Sequence, residues 1–212
     1  MIWTFSLPAE DTCPGATDAC RSVCYAKSGR YVFPSIRGLY ARNRERAAGP
    51  DFVDDVAAEI RAKFVRVVRI HGSGDFDSPG YVRKWAEVAR RRPGTTFYAY
   101  TRSWRVPAVR EALRPFARMK NVRLWYSADR DSGPPPRDAG VRIAWMLGAG
   151  DDPASVPRRA DLAFRAGGDG PLKRANGALV CPYEQGVPLK APRITCDRCG
   201  ICFASKARIP KK

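Results

Sequence analysis

Short apolar segments rich in β-branched and aromatic residues alternate along this chain with segments that have helical periodicity. Six segments are predicted to be strands, at residues 2–7, 65–72, 95–101, 122–127, 141–147 and 161–166. A strand that is followed by a helix and then by another strand is typical of a parallel sheet. The alternation therefore predicts an α/β fold, and right-handed crossovers leave two forms of it, an open doubly wound sheet or a curved partial barrel.

Three helices are predicted between these strands. The segment 51–64 has one apolar face, which is formed by Phe52, Val56, Ile60 and Phe64. The segment 78–91 begins with Ser78 and Pro79, which fit an N-cap and a first-turn proline. The segment 106–119 is the third predicted helix.

The length of 212 residues suits one domain with a small appendage. The alternation stops after about Leu172, so the predicted division is a barrel-like domain with an N-terminal cysteine loop at 1–172 and a cysteine-rich module at 173–212. No run of 18 apolar residues is present, and the N-terminus lacks a basic region followed by an apolar one. We therefore expect a cytoplasmic protein with no membrane partner.

Charge gives the first indication of a partner. The chain has 38 Lys and Arg residues against 21 Asp and Glu, a formal net charge of +17. A field of this sign attracts polyanions, so nucleic acid is the predicted partner class. The alternative is a solvated basic surface, because the arginines are dispersed over many segments.

Seven cysteines and one histidine dominate the candidate chemistry. In a reducing compartment, clustered cysteines bind metal more often than they form disulfides, and an odd number points the same way. The single histidine, His71, excludes any metal site with two imidazole ligands within one chain. By position the cysteines divide into three near the first strand (Cys13, Cys20 and Cys24) and four near the end (Cys181, Cys196, Cys199 and Cys202).

The C-terminal set contains the run "CDRCGIC" and a remote Cys181-Pro182. Four thiolates saturate a tetrahedral zinc ion or supply one ligand to each iron of a [4Fe-4S] cluster. The run of two-residue gaps with a remote fourth cysteine favours iron–sulfur, and zinc is the alternative. Three thiolates, as in the N-terminal set, leave one iron of a cluster open.

The N-terminal cysteine loop, "CPGATDACRSVCYAKSGRY", resembles the cluster loop of the radical S-adenosylmethionine (SAM) superfamily, although its C-x6-C-x3-C spacing is longer than the usual one. In that superfamily a Gly-Gly-Glu-like turn after the second strand holds the SAM amino group, and "GSGDF" stands at that point here. The resemblance implies a partial (β/α)6 TIM-like barrel, one or two [4Fe-4S] clusters and bound SAM. The implied SAM-binding residues are Tyr25, Ser73, Gly74, Asp75, Thr101 and Ser127.

A closer resemblance is to the phage family named after gene product 88. It rests on "FSLPAEDTCPGAT", "CYAKSGRY", "RIHGSGDF" and "FYAYTRS" and covers roughly residues 5–203. It implies phage or prophage origin and iron–sulfur binding.

Three functions remain open at this point. The first is a radical-SAM-like enzyme that acts on nucleic acid, with Asp75 and His71 as candidate catalytic residues at the mouth of the sheet. The second is a non-catalytic iron–sulfur or zinc protein that binds nucleic acid. The third is a base-exchange enzyme that resembles transglycosylases, with Asp75 or Asp129 as the nucleophile.

Overall fold

The structure is a computed structural model, and it describes residues 1–167, 170–185 and 194–205. Its strands are β1 (Ile2–Phe5), β2 (Val67–Ile70), β3 (Thr96–Thr101), β4 (Val122–Ala128), β5 (Val141–Gly148), β6 (Leu162–Ala166), β7 (Arg174–Ala175) and β8 (Ala178–Val180). Its α-helices are α1 (Asp18–Ser22), α2 (Pro34–Ala48), α3 (Phe52–Ala62), α4 (Pro79–Arg91), α5 (Pro107–Ala117) and α6 (Cys196–Cys199). The six predicted strands are all present.

In the described residues, eight strands form one sheet in the order β1-β2-β3-β4-β5-β6-β8-β7. All neighbouring pairs are parallel except β7 and β8, which are antiparallel. The first six strands lie side by side in the same order as in the sequence, whereas in a doubly wound sheet the strand order reverses part-way across the sheet. The mixed α/β class is therefore confirmed, and in the described residues β1 and β7 are the open edges of a sheet that does not close on itself.

One face of the sheet is covered by α3, α4 and α5, which follow the first three strands. Between sheet and helices lies the main core, where Phe5, Trp85 and Phe97 are almost completely buried. The side of α4 that faces the sheet includes Tyr81, Trp85 and Val88, which are all buried. Such burial of aromatic rings stabilises a fold by about 2 to 3 kcal/mol per side chain.

The predicted apolar face of residues 51–64 is wrong at its last position. Helix α3 ends at Ala62, and Phe64 has a positive φ of 51° and is 89% exposed. The chain must leave the helix here to enter β2, and this turn directs the Phe64 side chain into solvent. Phe52, Val56 and Ile60 are buried as predicted.

The repeating (β/α)6 pattern is also incomplete. No α-helix lies between β4 and β5 or between β5 and β6, where the connections are irregular apart from a 3-10 turn at Pro153–Ser155. Both connections are rich in proline and glycine, which are unfavourable inside helices. Loops therefore cover the outer face of β5 and β6, around a smaller cluster that includes Ile143, Leu147 and Val156.

Helices α1, α2 and α6 and strands β7 and β8 were not predicted from the sequence. Helix α2 follows the cysteine loop, and the short strands β7 and β8 extend the sheet beyond β6, past the predicted boundary at residue 172. Of the predicted module at 173–212, residues 186–193 and 206–212 lie outside the described residues. Among the helices that the structure describes, none is long and apolar enough to cross a membrane.

The second face of the sheet, opposite α3 to α5, is covered in part by the segment 201–204. The indole N–H of Trp125 donates to the carbonyl oxygen of Cys202 at 2.8 Å. The guanidinium of Arg142 donates to the carbonyl oxygen of Ala204 at 2.5 Å. The ring of Phe203 packs against Tyr98 with centroids 5.6 Å apart. The C-terminal cysteine run is therefore attached to the sheet by backbone contacts as well as by apolar packing.

Candidate functional site

Buried polar residues follow three neighbouring strands at the carboxyl edge of the sheet. Asp75 comes after β2, Thr101 ends β3 and is followed by Arg102, and Asp129 follows β4. The N-terminal cysteine loop lies over the same edge, because Asp75 donates its backbone N–H to the carbonyl oxygen of Thr12 at 3.1 Å. Carboxyl edges of parallel strands are where α/β proteins place their ligand sites.

Glycine allows the cysteine loop to come very close to β3. A Cβ atom at Gly15 would lie 2.0 Å from the carbonyl oxygen of Arg102, so no other residue fits there without a shift of the backbone. The guanidinium of Arg105 also donates to the carbonyl oxygen of Gly15 at 2.9 Å. The loop is thus held between Cys13 and Cys20 by direct contact with the end of the sheet.

A buried ion pair holds the same loop from its other side. Arg102 and Asp129 form an ion pair of 2.5 Å, and their side chains are 9% and 1% exposed. The hydroxyl of Thr17 donates to the same Asp129 oxygen at 2.6 Å, and it accepts the backbone N–H of Cys20 as the N-cap of α1. Burial acts to raise the pKa of Asp129, but the charge of Arg102 and these hydrogen bonds outweigh it, so the pKa is lowered.

Asp75 links β2 to β3. One carboxylate oxygen accepts the backbone N–H of Phe76 and the other accepts that of Arg102, both at 2.7 Å. The side chain is buried, and burial raises its pKa, although these N–H groups and the hydroxyl of Thr101 act in the opposite direction. Both oxygens are engaged within the protein, so Asp75 holds the edge together in this arrangement.

His71 does not point into the mouth of the sheet as expected. Its ring lies in the core, 4.7 Å from the Phe76 ring, and its Nε2 atom is 3.2 Å from the Tyr81 hydroxyl. The cause is its left-handed backbone, with φ of 68°, which turns the side chain back toward α4. Burial and the charge of Arg69 lower the pKa of His71 to about 3.

The other predicted SAM-binding residues are at or next to this edge. Ser73 and Thr101 are buried, and Ser127 is half-buried near the end of β4. Gly74 has φ of 79°, and a Cβ atom there would lie 2.6 Å from the Thr12 hydroxyl oxygen. Tyr25 lies at the outer side, with its hydroxyl donating to the Gly72 carbonyl oxygen at 2.7 Å.

The three thiols of the N-terminal loop are free and half-buried. Burial raises the pKa of Cys13 to about 12, and the charges of Asp75, Cys20 and Cys24 add to the effect. Burial also raises the pKa of Cys20, while the charge of Arg102 acts to lower it. The charges of other loop thiols and of Asp75 thus contribute to the raised pKa values of Cys13 and Cys20.

The four C-terminal cysteines line one small cavity, together with apolar residues from β6 and the C-terminal segment. Burial raises the pKa of Cys181 to about 12, and the charges of Glu184, Cys202 and Cys196 contribute further. Within residues 1–167, 170–185 and 194–205, no three Cys, His, Asp or Glu side chains are arranged to hold a metal ion. Metal binding by either cysteine set thus stays a prediction.

Comparison with known proteins decides the family. The sequence matches the family described as Gene product 88 over residues 1–205. The chain belongs to the gene product 88 family. It is 34% identical to the Gene 88 protein of Mycobacterium phage L5, over 93% of this chain and 80% of that protein. It is 30% identical to the Gene 88 protein of Mycobacterium phage D29, with the same coverage. No solved structure matches.

The relationship to phage proteins of this family confirms the closer of the two resemblances. The radical SAM resemblance is not shown by these comparisons. In this member of the family, sequence reasoning missed Thr17, Arg102 and Arg105, which attach the cysteine loop to the sheet. Thr17 carried a usable signal, since a threonine directly before a short helical segment is an N-cap candidate. The partner of Arg102 depends on the packing of distant segments and had no local signal.

Proposed function

We propose that this protein is an iron–sulfur enzyme with two centres, one open and one closed. Cys13, Cys20 and Cys24 would hold a [4Fe-4S] cluster at the carboxyl edge of the sheet, and the four C-terminal cysteines would hold a second centre. The observation that carries the proposal is the attachment of the N-terminal cysteine loop to the ends of β2, β3 and β4. That attachment brings the loop with the three thiols to the carboxyl ends of the strands, where parallel α/β proteins have their active sites.

The donor set of the N-terminal loop fits a cluster with one open iron. Three cysteines supply three thiolates, and a [4Fe-4S] cluster has four irons, so the fourth is left for a small ligand. Burial and the charge of Asp75 raise the pKa of the Cys13 thiol, whereas a bound metal ion favours the thiolate form. The cluster, when bound, would supply an electron to a ligand on the open iron.

SAM is the ligand that the sequence favours for that iron. The turn formed by Ser73, Gly74 and Asp75 lies under the cysteine loop, and the Ser73 hydroxyl is buried without a hydrogen-bond partner in the described residues. Because both Asp75 oxygens already accept backbone N–H groups, the role of this residue would be to hold the turn in place. The Thr101 hydroxyl is also engaged, since it accepts the backbone N–H of Ser103 at 3.0 Å and hydrogen-bonds to Asp75. The residues left to contact SAM are then Ser73 and Ser127.

The sequential order of β1 to β6 supports the finer prediction of a partial barrel. The second face of the sheet would be its interior, and the segment 201–204 lies against it. The C-terminal centre would close this interior with iron–sulfur or, as the alternative, zinc. Transglycosylase-like base exchange is less well supported, because Asp75 and Asp129 are both held by internal hydrogen bonds and neither is a free nucleophile.

The test is metal analysis after anaerobic purification, followed by electron paramagnetic resonance of the reduced protein with and without SAM. Two [4Fe-4S] centres correspond to about eight irons per chain. Added SAM should change the spectrum of the open cluster, because its amino and carboxylate groups would bind the fourth iron.

Cysteine variants assign the two centres. Cys20→Ala should abolish the response to SAM and leave about four irons, while Cys199→Ala should retain the response. If the protein contains its full iron but its spectrum does not change when SAM is added, the non-catalytic alternative, a structural iron–sulfur protein, is supported instead. Zinc at the C-terminal site with no iron anywhere would refute the proposal.

A further inference from the structure

The cysteine loop and helix α2 form a basic surface whose charge is only partly neutralised. Residues 21–49 contain seven Lys or Arg residues and one Glu. Glu10 pairs with Lys27 at 2.8 Å, and Asp11 pairs with Arg44 at 3.5 Å. Arg46 pairs with Glu59 at 3.1 Å. The remaining cations are therefore the ones available to an external anion.

Three of these cations, Arg30, Arg37 and Arg42, are exposed and form no ion pair within the described residues. Arg37 lies one helical turn after Phe33, so the two side chains are neighbours on α2. The guanidinium of Arg42 lies back over Gly38, where a Cβ atom would be 3.4 Å from it. Both helical cations are thus gathered on the first half of α2.

Aromatic rings lie between these cations. Phe33 is 57% exposed and Tyr25 is 54% exposed, although both are large apolar side chains. Tyr31 packs between Tyr25 and Tyr40, with ring centroids 5.4 Å and 6.4 Å away, and the guanidinium of Arg30 lies 5.8 Å from the Tyr31 ring centroid. A surface of alternating rings and cations offers stacking and phosphate contacts together.

This surface is joined directly to the candidate site. Tyr25 follows Cys24, and its hydroxyl donates to Gly72, which precedes Ser73. The side-chain amide of Asn43 on α2 donates to the carbonyl oxygen of Ser6 at 2.9 Å, which ties the helix to the end of β1. A polymer lying along α2 would therefore reach the carboxyl edge of the sheet.

We propose that single-stranded nucleic acid binds this ring-and-arginine surface, formed by Tyr25, Arg30, Tyr31, Phe33, Arg37 and Arg42. Its phosphates contact the three arginines, and one or more of its unpaired bases stack on the exposed rings. The inference rests on the proposed function, since it names the substrate class of the same site. Single strands are favoured over duplex because only unpaired bases offer their faces to protruding rings. An anionic membrane is less well matched, because the two most exposed apolar side chains of this region are the rings Phe33 and Tyr25, which can stack on bases.

The charge component is tested with a fluorescently labelled oligothymidine of about 20 nucleotides and fluorescence anisotropy. Arg37→Ala/Arg42→Ala should weaken binding by about tenfold or more. It should also reduce the slope of log affinity against log salt by about 1.4, because each lost phosphate contact on a single strand contributes about 0.7. The control is Arg66→Ala/Arg118→Ala, which removes the same charge from exposed positions away from the carboxyl edge and should change affinity by less than about threefold.

The stacking component is tested with Phe33→Ala, since this exposed ring is not part of the core. Loss of one stacked base should weaken binding by roughly fivefold or more, while Phe33→Tyr should keep it. Equal losses in the two double-arginine variants would show that only net charge matters, and this would overturn the proposal. Tighter binding to duplex than to the single strand would also overturn it, as would binding only to phosphatidylserine vesicles.

Failure of the proposed function can be recognised separately. Iron content is measured on the same preparations and should be equal in wild type, Arg37→Ala/Arg42→Ala and Phe33→Ala. Oligonucleotide binding that depends on this surface in a preparation without iron would support the docking proposal and refute the iron–sulfur function. Full iron content with no oligonucleotide binding would refute the docking proposal alone.

Discussion

Replacing Asp129 with Asn should destabilise the protein by about 3 to 5 kcal/mol, the usual cost of removing one partner from a buried ion pair. Asn keeps the shape and can still accept the backbone N–H groups of Asp131 and Ser132. It removes the charge opposite Arg102, whose side chain is 9% exposed, and it puts an amide NH2 group, which cannot accept a hydrogen bond, where the Thr17 hydroxyl now donates at 2.6 Å. Arg102 would then be a buried cation without a counter-charge.

Urea unfolding of wild type and variant measures this loss, and the melting temperature should fall by roughly 6 to 20 °C for a chain of this length. The matched control is Asp11→Asn, which breaks the ion pair with Arg44 in the same region. Those side chains are 66% and 50% exposed, so the control should cost less than about 1 kcal/mol. If Asp129→Asn costs no more than Asp11→Asn, the ion pair does not hold the cysteine loop.

Three further predictions concern other parts of the fold. Cys199→Ser should lower both metal content and melting temperature, because metal binding contributes directly to the stability of a small cysteine-rich segment, and unchanged values would contradict this. Gly74→Ala should lower the free energy of unfolding, measured in urea, by about 2 kcal/mol or more, because the added Cβ would meet Thr12. The control is Gly177→Ala, which should lower it by about 1 kcal/mol, because Gly177 also has a positive φ but has open space around it. The hydrogen bonds from Arg110 lower the pKa of Asp138, so the contribution of this carboxylate to stability is present at neutral pH and is lost as the pH falls below the ordinary value of 3.8. In the Asp138→Asn variant the free energy of unfolding, measured as a function of pH, should therefore change less over that acidic range than in the wild type.

The sheet could be predicted from sequence because its strands are marked locally. Each is a short run of β-branched and aromatic residues, and each end carries polar residues that the parallel arrangement collects at one edge. That rule accounts for the presence of Asp75, Thr101 and Asp129 at the same edge of the sheet. Helix α2 was missed because only Ala47 is buried among its 15 residues, so it lacks a continuous apolar face.

The orientation of individual side chains could not be predicted in the same way. His71 lies at the predicted edge of the sheet, but its positive φ turns its side chain away from that edge. No local sequence pattern predicts a positive φ at a residue other than glycine. Tyr98, Tyr100 and Trp125 pack on the second face of the sheet, whereas Tyr25 and Phe33 are exposed and lie in a segment that lacks periodicity.

The attachment of residues 201–204 to the second face sets an order of assembly during synthesis. Every strand that these residues cover is made before them, so the nascent chain can form the sheet while Trp125 and Arg142 still lack their partners at Cys202 and Ala204. During that interval the second face is open to solvent, and the N-terminal cysteines have long left the ribosome. The N-terminal cysteine loop is therefore exposed before the second face closes, and a ribosome stalled before Cys202 would hold the protein in that open state.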